Sequence, residues 1–105
     1  MEMDIDVWAV PEGTPVFGNE PIVTIRGKLI QAQIVETILL VYMNYSTLVT
    51  TKAARIVQVS KGRSVLEFGT RRAHGTDAAT EGARPAYIAG ATVSACTIAG
   101  MKYNI

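Results

Sequence analysis

The most constraining feature of this sequence is a long stretch without punctuation. From Leu29 to Ser60 there is no glycine and no proline, the two residues that most readily interrupt a regular element. Within it, apolar side chains recur at Ile30, Ile34, Ile38, Val41 or Tyr42, Tyr45 and Leu48 or Val49, close to the helical period. The segment is expected to be helical, either as one long helix or as two with a break near residues 44–47, where Asn44, Ser46 and Thr47 are weak helix formers. Its centre, residues 34–43, is apolar almost all round, which predicts burial. The run 34–49 is 16 residues long and includes Glu36 and Asn44. It falls short of the ~18–20 residues needed to span a bilayer, so a buried helix rather than a membrane span is expected. "KGR" at 61–63 ends the helix, with Gly62 as terminator. Lys52, Arg55 and Lys61 lie toward its C-terminal end, where the helix dipole favours cations.

The segment before the helix reads as a small sheet of short strands. "DVWAV" is a strand candidate, "PEGTP" a turn, and "PVFGNEP" a second extended piece with another turn. "PIVTIRG" alternates Ile22, Thr24 and Arg26 against Val23 and Ile25, as a strand with two unlike faces does. The segment after the helix has the sense of a βα unit. "SVLEF" reads as a strand and "GTRRAHG" as a loop, with Thr76 or Asp77 as the N-cap of a helix through residue 90. Pro85 should kink that helix, or delay its regular part until after Ala83. A last helix is expected over about 92–101, and the final "KYNI" resembles the beginning of a strand.

Composition narrows the function classes. Apolar residues make up 49% and charged residues 18% of 105, which supplies a core and argues against disorder. A net charge of +1 argues against a general nucleic-acid binder. The single cysteine, Cys96, provides neither a disulfide framework nor a zinc cluster, and its apolar neighbours make it a buried hydrophobe. The acidic N-terminus "MEMDIDV" is unlike a signal peptide, so a cytoplasmic location is the default expectation.

The chemistry concentrates in "FGTRRAHG", residues 68–75. Glycines at both ends permit close approach of backbone to a ligand. Arg71 and Arg72 offer planar forks for a carboxylate or phosphate, and the following helix would aim its N-terminal N–H groups at the same anion. The alternative is a solvated turn whose arginines pair with Glu67 and Asp77. In a parallel barrel, active sites lie at such strand ends. One unit closes no barrel, which needs ~250 residues, so the chain is expected to be a fragment.

"FGTRRAHGTDAATEGARPAYIAGATVSACTIAG" resembles the nicotinate phosphoribosyltransferase family around its F-G-x-R-R-A-x-G-x-D strand-end motif. "PEGTPVFGNEPIVTIRG" is similar to the family's N-terminal-domain strands, and "ETILLVYMNYSTLVTTKAAR" to its long helix with a T-K-A-x-R ending. The resemblance implies an α+β fold passing into α/β: residues 1–62 as part of the N-terminal α+β domain, and 63–105 as the first strand–loop–helix unit of an irregular (β/α) barrel. It implies condensation of nicotinate with 5-phosphoribosyl 1-pyrophosphate to nicotinate mononucleotide and pyrophosphate, on the salvage route to NAD. ATP coupling through a phosphorylated histidine, Mg2+, and a homo-oligomer with shared active sites are implied for the complete enzyme, with no nucleic-acid or membrane partner. None of these cofactors is assigned to this chain.

Residue by residue, the resemblance places Phe68 on the aromatic that stacks on the pyridine ring. Arg71 matches the arginine facing the substrates, Thr70 a hydroxyl donor, and Arg72 a second arginine serving in binding or in a structural salt bridge. Lys52 and Arg55 match the helix ending, where the helix dipole favours cations in any case; with His74 they are the weaker candidates for substrate binding. The family's phosphorylated histidine belongs to a later A-H-S motif, so His74 is expected to hydrogen-bond to backbone instead. No catalytic or metal-ligating residue is assigned. The family's T-D-x-Y segment is missing, and Thr92 stands where some members carry aspartate. No turnover is expected from this chain alone, and the alternative is a stand-alone, non-enzymatic anion-binding or oligomerisation module.

Overall fold

A computed structural model describes residues 3–105 as two compact units, Met1–Tyr42 and Met43–Ile105. Met1 and Glu2 of the acidic N-terminal segment lie outside the described residues.

In the first unit, β1 (Ile5–Ala9) pairs antiparallel with β2 (Val23–Gly27) in a register that sets Ile5 against Gly27 and Ala9 against Val23. The Val10 N–H donates to the Ile22 carbonyl at 3.1 Å and extends the ladder by one step. The intervening "PVFGNEP" is not a strand. It closes a turn in which Glu20 N–H donates to the Phe17 carbonyl at 3.3 Å and the Glu20 carboxylate accepts the Phe17 N–H at 3.0 Å. Two prolines and a glycine in seven residues leave too few N–H donors and too much backbone freedom for a ladder.

The long stretch forms one helix, α1 (Leu29–Ser60), without a break at 44–47. Weak propensity at three positions is outweighed by cooperative propagation on both sides. The expected burial of 34–43 is not found. No residue of α1 is buried, and Ile34, Ile38, Leu40, Val41 and Tyr42 are all exposed. The two-stranded sheet of this unit offers too little surface to cover a helix that is apolar on every side. By length and composition α1 is also long and apolar enough to cross a membrane. The count of 16 falls short because the helix continues beyond the apolar run in both directions. Lys61 (φ 52°) and Gly62 (φ 84°) end it in the left-handed region, as the "KGR" signal predicts.

In the second unit, β3 (Leu66–Glu67) and β4 (Val93–Ser94) are parallel, Leu66 opposite Val93 and Glu67 opposite Ser94. Flanking bonds from Thr92 N–H to the Val65 carbonyl (2.8 Å) and from Ala95 N–H to the Glu67 carbonyl (2.9 Å) complete the ladder. The crossover between them is α2 (Thr76–Ile88), giving a βαβ unit. α2 runs through Pro85 and starts at Thr76, so its regular part is not delayed to Ala83. Pro85 falls in the last turn, where the lost N–H removes a single bond and the helix survives it.

α3 (Thr97–Tyr103) is shorter and later than the helix expected over 92–101. Residues 93–94 join the sheet instead, because Gly90 (φ 103°) has ended α2 and Thr92 and Val93 are β-branched residues facing an open edge of β3. Met101–Tyr103 are helical rather than the start of a strand, and Asn104 (φ 55°) caps them with its N–H on the Gly100 carbonyl at 2.9 Å.

The core of this unit is made of small side chains. Ala83, Cys96 and Ala99 are buried together, with Tyr103 and Ile105 packed against them, and Ala86 and Ala91 are buried nearby. Cys96 is a free, buried thiol, as its setting predicts. Small residues let α2, α3 and β4 approach closely. One stripe of α1, including Met43, Val49, Ala53 and Val57, is half-buried. Tyr45 Oη donates to the Ala78 carbonyl of α2 at 2.7 Å, and Thr50 Oγ1 to the Pro85 carbonyl at 3.4 Å.

Candidate functional site

The loop after β3 is built by its two glycines, each for a different reason. Gly69 has an ordinary φ of −80°. A Cβ there would come within 2.7 Å of Glu67 Oε1, so its role is to let that carboxylate close on the backbone. Gly75 has a φ of 103°, a conformation L side chains rarely adopt, and it is the N-cap of α2 in place of the expected Thr76 or Asp77. Gly75 brings no side chain to cap the helix, which leaves the first-turn N–H groups of α2 without a side-chain acceptor at the N-cap.

Between them, Thr70–Arg72 form a single 3-10 turn. Arg72 N–H donates to the Gly69 carbonyl at 2.8 Å, and Ala73 N–H to the Thr70 carbonyl at 3.4 Å. Three residues per turn send successive side chains in different directions, so Thr70, Arg71 and Arg72 fan out. All three are exposed, as is Phe68 at 60%. Arg72, with Glu67 and Gly69, lines a cavity of about 240 Å³ whose other walls are Tyr45, Val49, Ala73, Ala78, Ala79 and Gly82. Phe68, Thr70 and Arg71 do not line it. Arg71 and Arg72 therefore serve different surfaces of one turn.

Neither arginine forms an ion pair among the described residues. The turn held by pairs to Glu67 and Asp77 is not what the chain adopts. Glu67 is occupied elsewhere: its carboxylate accepts the Gly69 N–H and the Ser94 hydroxyl at 2.6 Å. Ser94 Oγ in turn accepts the Cys96 N–H at 3.0 Å. Glu67 and Ser94 anchor this loop, and the sequence does not announce that they do. Ser94 falls within the helix expected over 92–101, and Glu67 has the look of a salt-bridge partner.

His74 is exposed and makes no hydrogen bond among the described residues, contrary to the backbone bond expected for it. Lys52 and Arg55 are exposed on α1 and do not line the cavity.

A second polar cluster joins α2 to α3. Glu81 accepts from Lys102 Nζ and from Tyr103 Oη, each at 2.6 Å. The Lys102 bond, with that of Tyr103, holds the Glu81 carboxyl below its usual range. Lys102 is pushed up by the same contact. Tyr103 is raised, first by burial and then by its bond to Glu81. Lys102 Nζ and Arg84 Cζ lie 4.9 and 5.9 Å from the centre of the Tyr103 ring. Glu81, Lys102 and Tyr103 are joined to one another by these bonds, as a clasp between α2 and α3.

No protein-family model matches the chain. Among curated proteins, it is 49% identical over 98 residues to a nicotinate phosphoribosyltransferase of Bacillus subtilis, covering 93% of this chain and 20% of that protein. It is 48% identical over 100 residues to one of Mycobacterium tuberculosis, covering 95% and 22%. The crystal structure of human nicotinic acid phosphoribosyltransferase superposes with a TM-score of 0.86 at 35% identity, over 92% of this chain and 20% of that one. The chain spans about a fifth of the length of the relatives it matches. By sequence and by fold, then, it is a relative of the nicotinate phosphoribosyltransferases, matched over nearly the whole of its own length.

Proposed function

We infer that this chain supplies a substrate-binding strand end to an enzyme that condenses nicotinate with 5-phosphoribosyl 1-pyrophosphate. The products are nicotinate mononucleotide and pyrophosphate. One observation carries the reading: Arg71 and Arg72 stand exposed on a fixed turn with no ion pair among the described residues, beside an α2 N-terminus with no side-chain cap. Fixed guanidinium groups and free helix N–H donors together make an anion site. Both proposed substrates are anions, one with a carboxylate and the other with phosphates.

In this reading Phe68 gives the pyridine ring a flat apolar face. Arg71 binds the carboxylate or the pyrophosphate, Thr70 donates its hydroxyl to the same ligand, and Arg72 adds positive field from the cavity side. The reaction develops positive charge on the sugar and negative charge on the departing pyrophosphate. Electrostatic preorganisation assists that without a nucleophilic side chain. His74, Lys52 and Arg55 are assigned no step. Mg2+ and ATP are proposed for the complete enzyme and are assigned to no residue of this chain. Among the described residues no group of three His, Cys, Asp or Glu is gathered for a metal, and no step is derived through either. The complete protein is proposed to be a cytoplasmic homo-oligomer, and this chain by itself to lack turnover.

Calorimetric titration of the chain with nicotinate and with the phosphoribosyl donor tests the reading. Binding of either that is lost in Arg71→Ala supports it. Binding unaffected by that substitution refutes the assignment of the loop.

A further inference from the structure

Glu67 is immobilised at both ends. Its main chain lies in the parallel ladder opposite Ser94, and its carbonyl accepts the Ala95 N–H at 2.9 Å. Its carboxylate spends Oε1 on the Gly69 N–H and Oε2 on the Ser94 hydroxyl. Ser94 is itself oriented by the Cys96 N–H, next to the buried core of the unit. A chain of hydrogen bonds thus runs from that core, through the end of β4, to the first residues of the loop after β3.

Two features show that the arrangement is specific. Gly69 leaves only 2.7 Å between Glu67 Oε1 and the place where a Cβ would stand, so no other residue fits there without dislodging the carboxylate. Glu67 also shares a cavity wall with Arg72, yet makes no ion pair with it. A carboxylate free to rotate would neutralise that guanidinium. Held by an N–H and an O–H, it does not.

We propose that Glu67, seated on Ser94, is a positioning residue: it fixes the turn 69–72 against the end of β4 and so holds both arginines available to an anionic ligand. The proposal rests on the anion-binding reading of the loop. Glu67 touches no ligand, and its effect passes through Gly69.

The sign of one measurement separates positioning from simple electrostatics. If Glu67 acted only as a nearby negative charge, its removal would tighten anion binding. If it positions the turn, removal weakens binding despite the gain in positive field, because misplaced groups lose affinity steeply.

The test uses the full 105-residue chain, labelled with 15N and titrated with inorganic pyrophosphate at fixed ionic strength. Far-UV circular dichroism checks that each variant is folded. Glu67→Ala is expected to weaken pyrophosphate about tenfold and to shift the Gly69 amide proton upfield, because a charge-assisted bond is lost. Ser94→Ala should weaken it less, by roughly threefold, since Glu67 keeps its bond to Gly69. Glu67→Gln should recover most of the affinity: its carbonyl still accepts from Gly69 and its amide can donate to Ser94 Oγ. Binding by Glu67→Ala that equals or exceeds wild type overturns the positioning role alone. No binding by wild type overturns the anion-site reading, and the role of Glu67 with it. A loss that Glu67→Gln does not recover, with the Gly69 amide unmoved, overturns the proposal, because the Gly69 bond then survives while affinity is lost.

Discussion

Gly82→Ala should destabilise this chain, although alanine is the better helix former, and removing one oxygen atom elsewhere should reverse the sign. Gly82 lies inside α2, where replacement by alanine gains about 0.8–1 kcal/mol of propensity. A Cβ there would sit 2.9 Å from Tyr45 Oη but 3.7 Å from Cζ, so only the hydroxyl is in the way. That hydroxyl donates to the Ala78 carbonyl at 2.7 Å. Displacing it costs about 1 kcal/mol for the bond and about 1 kcal/mol for moving a rigid ring in a packed site. The balance is a net loss of about 1 kcal/mol, or roughly 4–8 °C in Tm for a chain of this size. Tyr45→Phe alone also loses about 1 kcal/mol. In the Tyr45→Phe background the nearest ring carbon is at ordinary contact distance, and Gly82→Ala should then stabilise by its full propensity gain. The double variant is therefore expected near wild type, with a favourable coupling of about 2 kcal/mol. Urea unfolding followed by circular dichroism measures all four corners of the cycle. A Gly82→Ala effect of the same sign and size in both backgrounds would refute the contact as the cause.

Three further outcomes are expected. In a complete enzyme, Arg71→Ala should lower turnover about a hundredfold, and Arg72→Ala less than tenfold; equal effects would show that the two roles are wrongly divided. Glu81 titrates below its usual value of 4.5, so the stability it contributes is present above that pH and is lost as pH falls through the depressed value. Wild type and Glu81→Gln should then differ in Tm by a few degrees at pH 7 and converge toward pH 2, whereas a constant gap would rule out the ionised clasp. The isolated chain should self-associate at micromolar concentration, because Ile30, Ile34, Ile38 and Val41 of α1 are exposed and apolar faces of that kind seek cover; a monomeric mass by light scattering would sink that expectation.

Legibility followed the range of the forces involved. The span of α1 was readable because its signal is local, a run without glycine or proline closed by Gly62, while the weak helix formers at 44–47 left its continuity there open. Whether it is buried was not readable, because a pattern apolar on all sides states a demand for cover and not its supply. The same limit explains β4. Residues 92–96 carry too few polar positions for a period to show, and what makes 93–94 a strand is the open edge of β3, some 27 residues earlier. A two-residue strand exists only through its partner, so sequence pattern around Val93 cannot announce it.

The loop shows the same division on a smaller scale. The glycines and the paired arginines at 69–75 were legible as a turn suited to anions, since backbone freedom and charge are properties of single residues. Their state of pairing was not. Counting charges sets Glu67 beside Arg71 and Arg72 and suggests neutralisation. The fold instead sends that carboxylate back across its own strand to Ser94, a partner visible only once β4 is paired. The electrostatics of the turn therefore depend on a strand that contributes no charge. A substitution at Ser94, silent by any count of charge, should act on the same arginines as one at Glu67, and the structure makes that link through a single hydroxyl group.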